Sequence, residues 1–316
     1  LHTIGGRSLL GHAIDAARGT QPQHLAVVVR HQRDVVAAHI EQFESGATIA
    51  DQDEIKGTGR AAECALDVLP ADLSGTVLVT YGDVPLLATQ TLVDLTSAHE
   101  AGGNAVTVLT AEVENPTGYG RILRDESGSV AGIIEHKDAL AAREAGDAKL
   151  AHALDIREIN SGIYAFDAIV LRESLSKVTT DNAQGEKYLT DVLALARAAG
   201  GRVEAHTITD LWQTEGVNDK VQLAAMGREL NRRVVEQAMR DGAIVIDPAT
   251  TFVDVDVSIG RDTVVQPNTQ LRGATTIGAR CEIGPDTTLV DTEVGDGASG
   301  HVRAKGPRGV RVTDRP

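Results

Sequence analysis

An α/β unit built on a parallel sheet, carrying an inserted β-hairpin and followed by a short parallel β-helix, is the architecture this 316-residue sequence predicts. Three observations point to it. Strand-like and helix-like segments alternate over the first two thirds of the chain, the order of a sheet covered by helices on both faces. A turn-rich stretch, Asn115 to Asp138, interrupts that order. From Val253 to Leu289, aliphatic residues recur at every sixth position. No helix face has that period, whereas a repeating β-helix does.

The first strand is HLAVVVR, His24 to Arg30. His31 to Phe43 reads as a helix with Val35, Ala38 and Phe43 on one face. A glycine-rich turn opens a second helix, Gly57 to Leu69. Thr76 to Thr80 is apolar and β-branched without alternation, the mark of a strand buried on both sides. A helix near Thr89 to Ala101 and a strand from Asn104 to Val113 follow. Two short β runs around Asp125 to Gly128 make the inserted hairpin. Asn160 to Phe166 returns to strand, and Tyr188 to Gly200 is a helix ending in glycines. Asp219 to Arg240 is a long helix, polar and charged on one side, as a connector between domains would be.

The six-residue period holds through Val253, Ile259, Val265, Leu271, Ile277, Ile283 and Leu289. Small or β-branched residues recur four positions on, at Val257, Thr263, Thr269, Thr275, Cys281 and Thr287. In a triangular coil the aliphatics fill the interior and the small residues fit near the corners. At about eighteen residues per coil only about two coils fit, a short stack. The phase breaks at Val294, and the remaining tail is basic and without period. The domains read as 1–218 for the α/β unit, 219–249 for the connector, 250–298 for the β-helix and 299–316 for an irregular tail.

The net charge is −15 and the isoelectric point about 5.1. Nucleic-acid binding needs a basic stripe, so that class is excluded. Aromatic residues are only 3%, too few for stacking on single strands. The two cysteines, Cys64 and Cys281, form no CxxC pattern, which fits a reducing cytoplasm. No apolar run approaches the ~20 residues that span a bilayer, and no secretory leader opens the sequence.

Five stretches carry candidate chemistry. In TVLVTYGDVPLL the buried strand delivers Asp83 and then stops at Pro85. A turn aspartate is the plain reading. The other is a metal or catalytic group at the carboxyl end of a strand, where open α/β sheets bind ligands. In ADQDEIKGTG, Gly57 and Gly59 flank Thr58 at a helix start, where free amides favour an anion or a polar base edge, although most such turns only cap helices. TGYGR places Gly118 and Gly120 where a ligand can approach the backbone, and a hairpin turn would use them too. IIEHKD leads two isoleucines into Glu135, His136 and Lys137, either a site or a solvated charge cluster. Asn160 in INSG and Asn218 in EGVND are polar groups at turns.

Taken together, YGDVPL, NPTGYGRI, IIEHKDA, EINSGI, NAQGEKYLTD and EGVND, followed by hexapeptide coils, closely resemble the bacterial bifunctional N-acetylglucosamine-1-phosphate uridyltransferase / glucosamine-1-phosphate acetyltransferase family. The resemblance runs in order from Leu1 to about Gly297. It implies a Rossmann-like nucleotidyltransferase domain and a left-handed β-helix. It implies Mg²⁺ held by Asp83 and Asn218, a hard ion needing few protein oxygens beside substrate phosphates. Gln52, Gly57 and Thr58 match residues that read uracil. Tyr81, Gly120, Glu135 and Asn160 match those around N-acetylglucosamine, and Gly82 is implied in substrate binding. Asp83 is implied in catalysis with Lys137, which lies within reach of a phosphate. The implied reaction joins UTP to N-acetylglucosamine 1-phosphate, giving UDP-N-acetylglucosamine and pyrophosphate for cell-wall precursors. The full-length form is expected to be a homotrimer, as hexapeptide β-helices commonly are.

Two departures qualify the expectation. The family's N-terminal strand and glycine-rich loop, LAAGxGTRM, has no counterpart before the LHT that opens these residues, and residue 1 is leucine. The later coils that carry the acetyltransferase site are also without counterpart. These residues are therefore expected to be a segment of a longer repeat protein. Uridylyl transfer is expected to need the glycine-rich loop, and no acetyltransferase activity is expected here. Alternatives are another sugar-1-phosphate nucleotidyltransferase and a non-catalytic nucleotide-sugar-binding fragment. A glycosyltransferase usually presents a D-x-D motif, whereas Asp83 is followed by Val84 and Pro85.

Overall fold

The computed structural model describes residues 1–182, 184–300 and 304–312. The chain forms two compact units, Leu10–Glu215 and a second made of Leu1–Leu9 with Gly216–Pro316. The sequence reading grouped the first nine residues with the α/β unit. In the structure they form a small hairpin, Thr3–Ile4 against Arg7–Ser8. Val255 donates its N–H to the Gly5 carbonyl, and Arg7 meets Asp256 at 2.5 Å. Pairing with a distant segment, rather than local pattern, decides where this hairpin belongs.

In the unit Leu10–Glu215 the main sheet runs in the order Val203–Ile208, Val106–Glu112, Glu158–Asp167, Arg121–Arg124, Val130–Ile134. The strand Thr76–Val79 also pairs with Glu158–Asp167. A separate parallel pair joins Ala26–Val29 to Thr48–Asp51. The expected parallel sheet is thus a mixed one. Val203–Ile208 and Val106–Glu112 are parallel, while Glu158–Asp167 runs antiparallel to its neighbours. That strand is apolar on both faces, so its composition signals burial and says nothing of direction. Tyr164 and Phe166 pack into one core layer, Ile163 and Ala165 into the other. The helix Thr89–Gly102 covers one face through Leu92 and Leu95. The helices Ala168–Leu175 and Asp191–Ala198 cover the other through Leu171, Leu175, Val192 and Leu193.

The hairpin forms where expected, Arg121–Arg124 against Val130–Ile134. Asp125 Oδ1 fastens its turn by accepting from the Ser127 and Ser129 N–H groups. The helix Arg33–Phe43 also forms, but it buries Ala37 and Ile40 and leaves Val35 exposed. The expected face was off by a step around the helix, because its apolar stripe is narrow and flanked by alanines.

One buried histidine sets a pH dependence for this unit. His99 is 3% exposed and its Nδ1 lies 3.0 Å from Thr107 Oγ1. Burial holds its basicity below the ordinary range, against the opposing pull of Asp167 and Glu100. The unfolded chain therefore takes up the proton first. Stability should be full above about pH 6.5 and fall as the pH drops from there towards the folded value, by at most about 1.4 kcal/mol per pH unit. Urea unfolding at stepped pH, compared with His99→Gln, should show this slope flattened in the variant.

The second unit contains the long helix Lys220–Arg240, capped by Asp219, whose side chain accepts from Val221 and Gln222. A β-helix follows. Its strands stack with an eighteen-residue offset: Val253 over Leu271, Ile259 over Ile277, Val265 over Ile283 and Leu271 over Leu289. These aliphatics face one interior, and Val265 and Leu271 are fully buried. The buried threonines are satisfied locally: Thr263 Oγ1 donates to the Gly278 carbonyl and Thr275 Oγ1 to that of Arg272. Corners take left-handed backbone at stacked positions, Asp262 with Arg280 and Asn268 with Asp286, mostly residue types that tolerate it. The break in period is absorbed in one strand, Thr288–Val294, which meets Gln270–Arg272 at an offset of eighteen and Thr276–Ile277 at seventeen. The tail read as irregular carries a strand, Ala304–Val312, parallel to Thr288–Val294. An open coil edge offers unpaired N–H and C=O groups that recruit a neighbouring segment whatever its composition. Residues 301–303 and 313–316 of that tail lie outside the described residues. Leu271→Ala should cost about 2–5 kcal/mol, read as a lowered midpoint in denaturant unfolding of this unit.

Candidate active site

A cleft of about 290 Å³ opens in the unit Leu10–Glu215. It gathers five of the residues expected at a site, Thr58, Tyr81, Gly120, Glu135 and Asn160. They come from four separated places: the start of the helix Thr58–Asp67, the end of the strand Thr76–Val79, the hairpin Arg121–Arg124 with Val130–Ile134, and the strand Glu158–Asp167.

The polar groups are arranged with definite roles. Asn160 Oδ1 accepts from Tyr164 Oη and from the Gly162 N–H, both at 2.9 Å. Its oxygen is thus occupied, and its amide N–H groups remain as donors towards the cleft. Glu135 caps the helix His136–Glu144 and accepts from Thr190 Oγ1 at 3.5 Å. Burial raises its carboxyl above the ordinary range, with Asp138 and Asp191 adding to the effect. The Tyr81 phenol is pushed up to about 12 by burial, then by Glu135 and Asp83, so it stays protonated at neutral pH. The Tyr81 ring lies against Gly162, where a Cβ would come 2.2 Å from the ring and φ is +82°. Only glycine fits both conditions.

Sequence reasoning missed other residues of the cleft wall. Tyr164, Gln184, Tyr188 and Thr190 line the cleft as well. Gln184 Nε2 donates to Tyr188 Oη at 2.8 Å. The signal was present in NAQGEKYLTD, a polar run between two helices, but its residues carry no charge pattern that marks a site.

The remaining expected residues stand around the cleft rather than in its wall. Gln52 Nε2 donates to the Ile55 and Gly57 carbonyls, which leaves its Oε1 as an acceptor. Gly57 caps the helix Thr58–Asp67 with φ 113° and ψ 155°. Gly82 and Asp83 follow Tyr81 and are exposed. Among the described residues, Asp83 has only its own backbone N–H as partner. Protein on one side still raises its carboxyl above the ordinary range. Lys137 is exposed, and its Nζ donates to Gln184 Oε1 at 2.7 Å, one side chain away from the cleft. Asn218 belongs to the second unit, where its N–H donates to Gln222 Oε1.

Among the described residues no three His, Cys, Asp or Glu side chains cluster as a metal cage. An unpaired exposed carboxylate suits instead a hard ion that takes few protein oxygens and shares its sphere with water and phosphate. Asp83 has the chemistry of such a ligand.

Among known proteins, this chain is 59% identical over 301 residues to the bifunctional protein GlmU of Pseudarthrobacter chlorophenolicus, a match covering 95% of this chain and 59% of that one. It is 58% identical over 300 residues to the bifunctional protein GlmU of Paenarthrobacter aurescens, covering 94% and 58%. The corresponding protein of Micrococcus luteus is 55% identical over 304 residues, covering 94% and 61%. The chain spans about three fifths of the length of the curated relatives it matches. Residues 1–221 match the family described as nucleotidyl transferase. That match takes in every strand of the sheet around the cleft and all of its polar wall, and on this ground the chain belongs to the nucleotidyl transferase family.

Proposed function

We propose that this chain is the sugar-1-phosphate nucleotidyltransferase part of a longer protein, and that it joins the uridylyl group of UTP to N-acetylglucosamine 1-phosphate, releasing pyrophosphate. The observation that carries the reading is the convergence of Thr58, Tyr81, Gly120, Glu135 and Asn160 on one cleft. Asn160 offers amide donors and Glu135 carboxylate acceptors, the complementary pair that sugar hydroxyls and an acetamido group require. Gln52 Oε1 is an acceptor beside the Gly57 turn. Uracil presents an N–H at its pairing edge where cytosine presents a bare ring nitrogen, so that acceptor favours uracil.

The chemistry needs no covalent enzyme intermediate. Positioning of the sugar phosphate for in-line attack and stabilisation of phosphate charge suffice. Mg²⁺ would neutralise phosphate oxygens when bound, with Asp83 as the ligand this unit supplies. Tyr81 and Asn160 orient the sugar, Gly120 leaves room for it, and Lys137, whose Nζ donates to Gln184 of the cleft wall, is proposed to serve the phosphates. The whole assembly is proposed to act in the cytoplasm on cell-wall precursors and, through its β-helix, as a trimer. Among the described residues, no helix is long and apolar enough to cross a membrane.

Pyrophosphate release tests the proposal. The chain is incubated with N-acetylglucosamine 1-phosphate, magnesium and each of the four nucleoside triphosphates. A parallel sample carries a restored glycine-rich N-terminal segment. Release with UTP above the other three, in either sample, is the expected result. Preference for another base assigns a sister nucleotidyltransferase, and silence in both samples overturns the catalytic reading.

A further inference from the structure

Among the described residues, Arg121 heads the fully buried side chains by volume, at 1% exposure. Among the described residues no carboxylate pairs with it, and its Nε has no partner at all. Its two contacts are neutral. Nη1 donates to the Tyr119 carbonyl, and Nη2 donates to His136 Nδ1 at 3.3 Å. A cation buried without an anion works against stability, a cost that a role in holding its neighbours would offset.

Both contacts lead to residues of the cleft. The Tyr119 carbonyl belongs to the turn Gly118–Gly120, which lines the cleft. His136 opens the helix His136–Glu144, and the preceding residue, Glu135, is that helix's cap and a cleft acid. Arg121 stands opposite Ile134 in the hairpin register, on the strand that continues from Gly120. We propose that Arg121 is a positioning residue that fixes the spacing between Gly120 and Glu135, and so the grip on the sugar, by holding the Tyr119 carbonyl and His136 Nδ1 at once. His136 must accept at Nδ1, so its ring is neutral with the proton on Nε2. Burial, with Arg121 and Arg143 nearby, depresses its basicity in keeping with that form.

This inference rests on the sugar-nucleotide reading of the cleft, and its test separates the two. Affinities for UDP and for UDP-N-acetylglucosamine are measured by calorimetry on the full chain in magnesium buffer. Their ratio isolates the share due to the sugar. Arg121→Met and His136→Leu should each lower that ratio roughly ten-fold while leaving the UDP affinity in place. His136→Asn keeps an acceptor oxygen and should restore it. A purely structural role would lower the thermal midpoint and leave the ratio unmoved, and that result in a folded Arg121→Met overturns the proposal. Equal loss of both affinities overturns it too. If Arg121→Met does not fold, the two His136 variants decide, because that ring is only half-buried. An unaltered chain that binds UDP-N-acetylglucosamine no better than UDP overturns the sugar reading first, and this inference with it.

Discussion

Asp83→Ala is expected to abolish the magnesium-dependent part of UDP-N-acetylglucosamine binding. The unaltered chain should bind more tightly when magnesium replaces a chelator, and the variant should bind equally weakly in both. The loss should be at least about 100-fold, since even groups that only support a metal ligand cost 10–100-fold. The expectation comes from the placement of the carboxylate. It follows the strand Thr76–Val79, is exposed, and among the described residues has no partner beyond its own N–H. A structural aspartate would be spent on a cap or an ion pair, as Asp167 is at the helix Ala168–Leu175. The pH dependence follows from the same site. The protein on one side of it partly strips its water and raises its carboxyl, so protons compete with the metal at a higher pH than for an ordinary aspartate. Magnesium affinity should be full at neutral pH and fall as the pH drops through that raised value. Magnesium-independent affinity in the unaltered chain, or an unchanged magnesium effect in Asp83→Ala, would sink the assignment.

Some of this was legible in the residues and some was not, for physical reasons. The β-helix was legible because each coil repeats one packing problem, so Val253, Val265, Leu271 and Ile283 recur in phase and all lie in the interior. Its corners were not, since Asp262, Asn268 and Asp286 are read only once the stacking shows them in left-handed backbone. The hairpin was legible from its turn residues. The antiparallel course of Glu158–Asp167 was not, because burial on both faces erases the alternation that would expose its pairing. At the cleft, Tyr81, Glu135 and Asn160 were found through their motifs. Arg121 was passed over because a lone arginine on a strand reads as surface, and only the fold shows it 1% exposed. Tyr188 and Thr190 were taken as helix, while the structure begins that helix at Asp191 and leaves both in the cleft wall.

Gly57 illustrates how a residue matched to ligand binding can first be a demand of the backbone. Gly57→Ala is expected to lower stability by about 3 kcal/mol or more. At φ 113° and ψ 155° the residue sits in a region open essentially to glycine. A Cβ there would stand 2.1 Å from the Lys187 carbonyl oxygen, and backbone cannot swing aside as a side chain can. The segment it would push is not idle. The Lys187 N–H donates to the Lys56 carbonyl, the Gly59 N–H donates to that of Lys187, and the Leu189 N–H donates to Thr58 Oγ1. Beyond it lie Tyr188 and Thr190 in the cleft wall. The substitution should therefore weaken nucleotide and sugar together. For a unit of this size the thermal midpoint should fall by roughly 6–12 °C. Gly75→Ala is the matched control. Its φ is also positive, at +87°, but nothing lies within 4 Å of the added Cβ. It should cost only about 1–2 kcal/mol of backbone strain and leave binding intact. The difference between the two midpoints measures what Gly57 adds, its close approach to Lys187 and its ψ of 155°, beyond the positive φ both glycines share. Equal midpoints in the two variants would mean that the Lys187 segment yields freely. The Gly57 turn and the Tyr188–Thr190 wall would then be independent parts rather than one welded element.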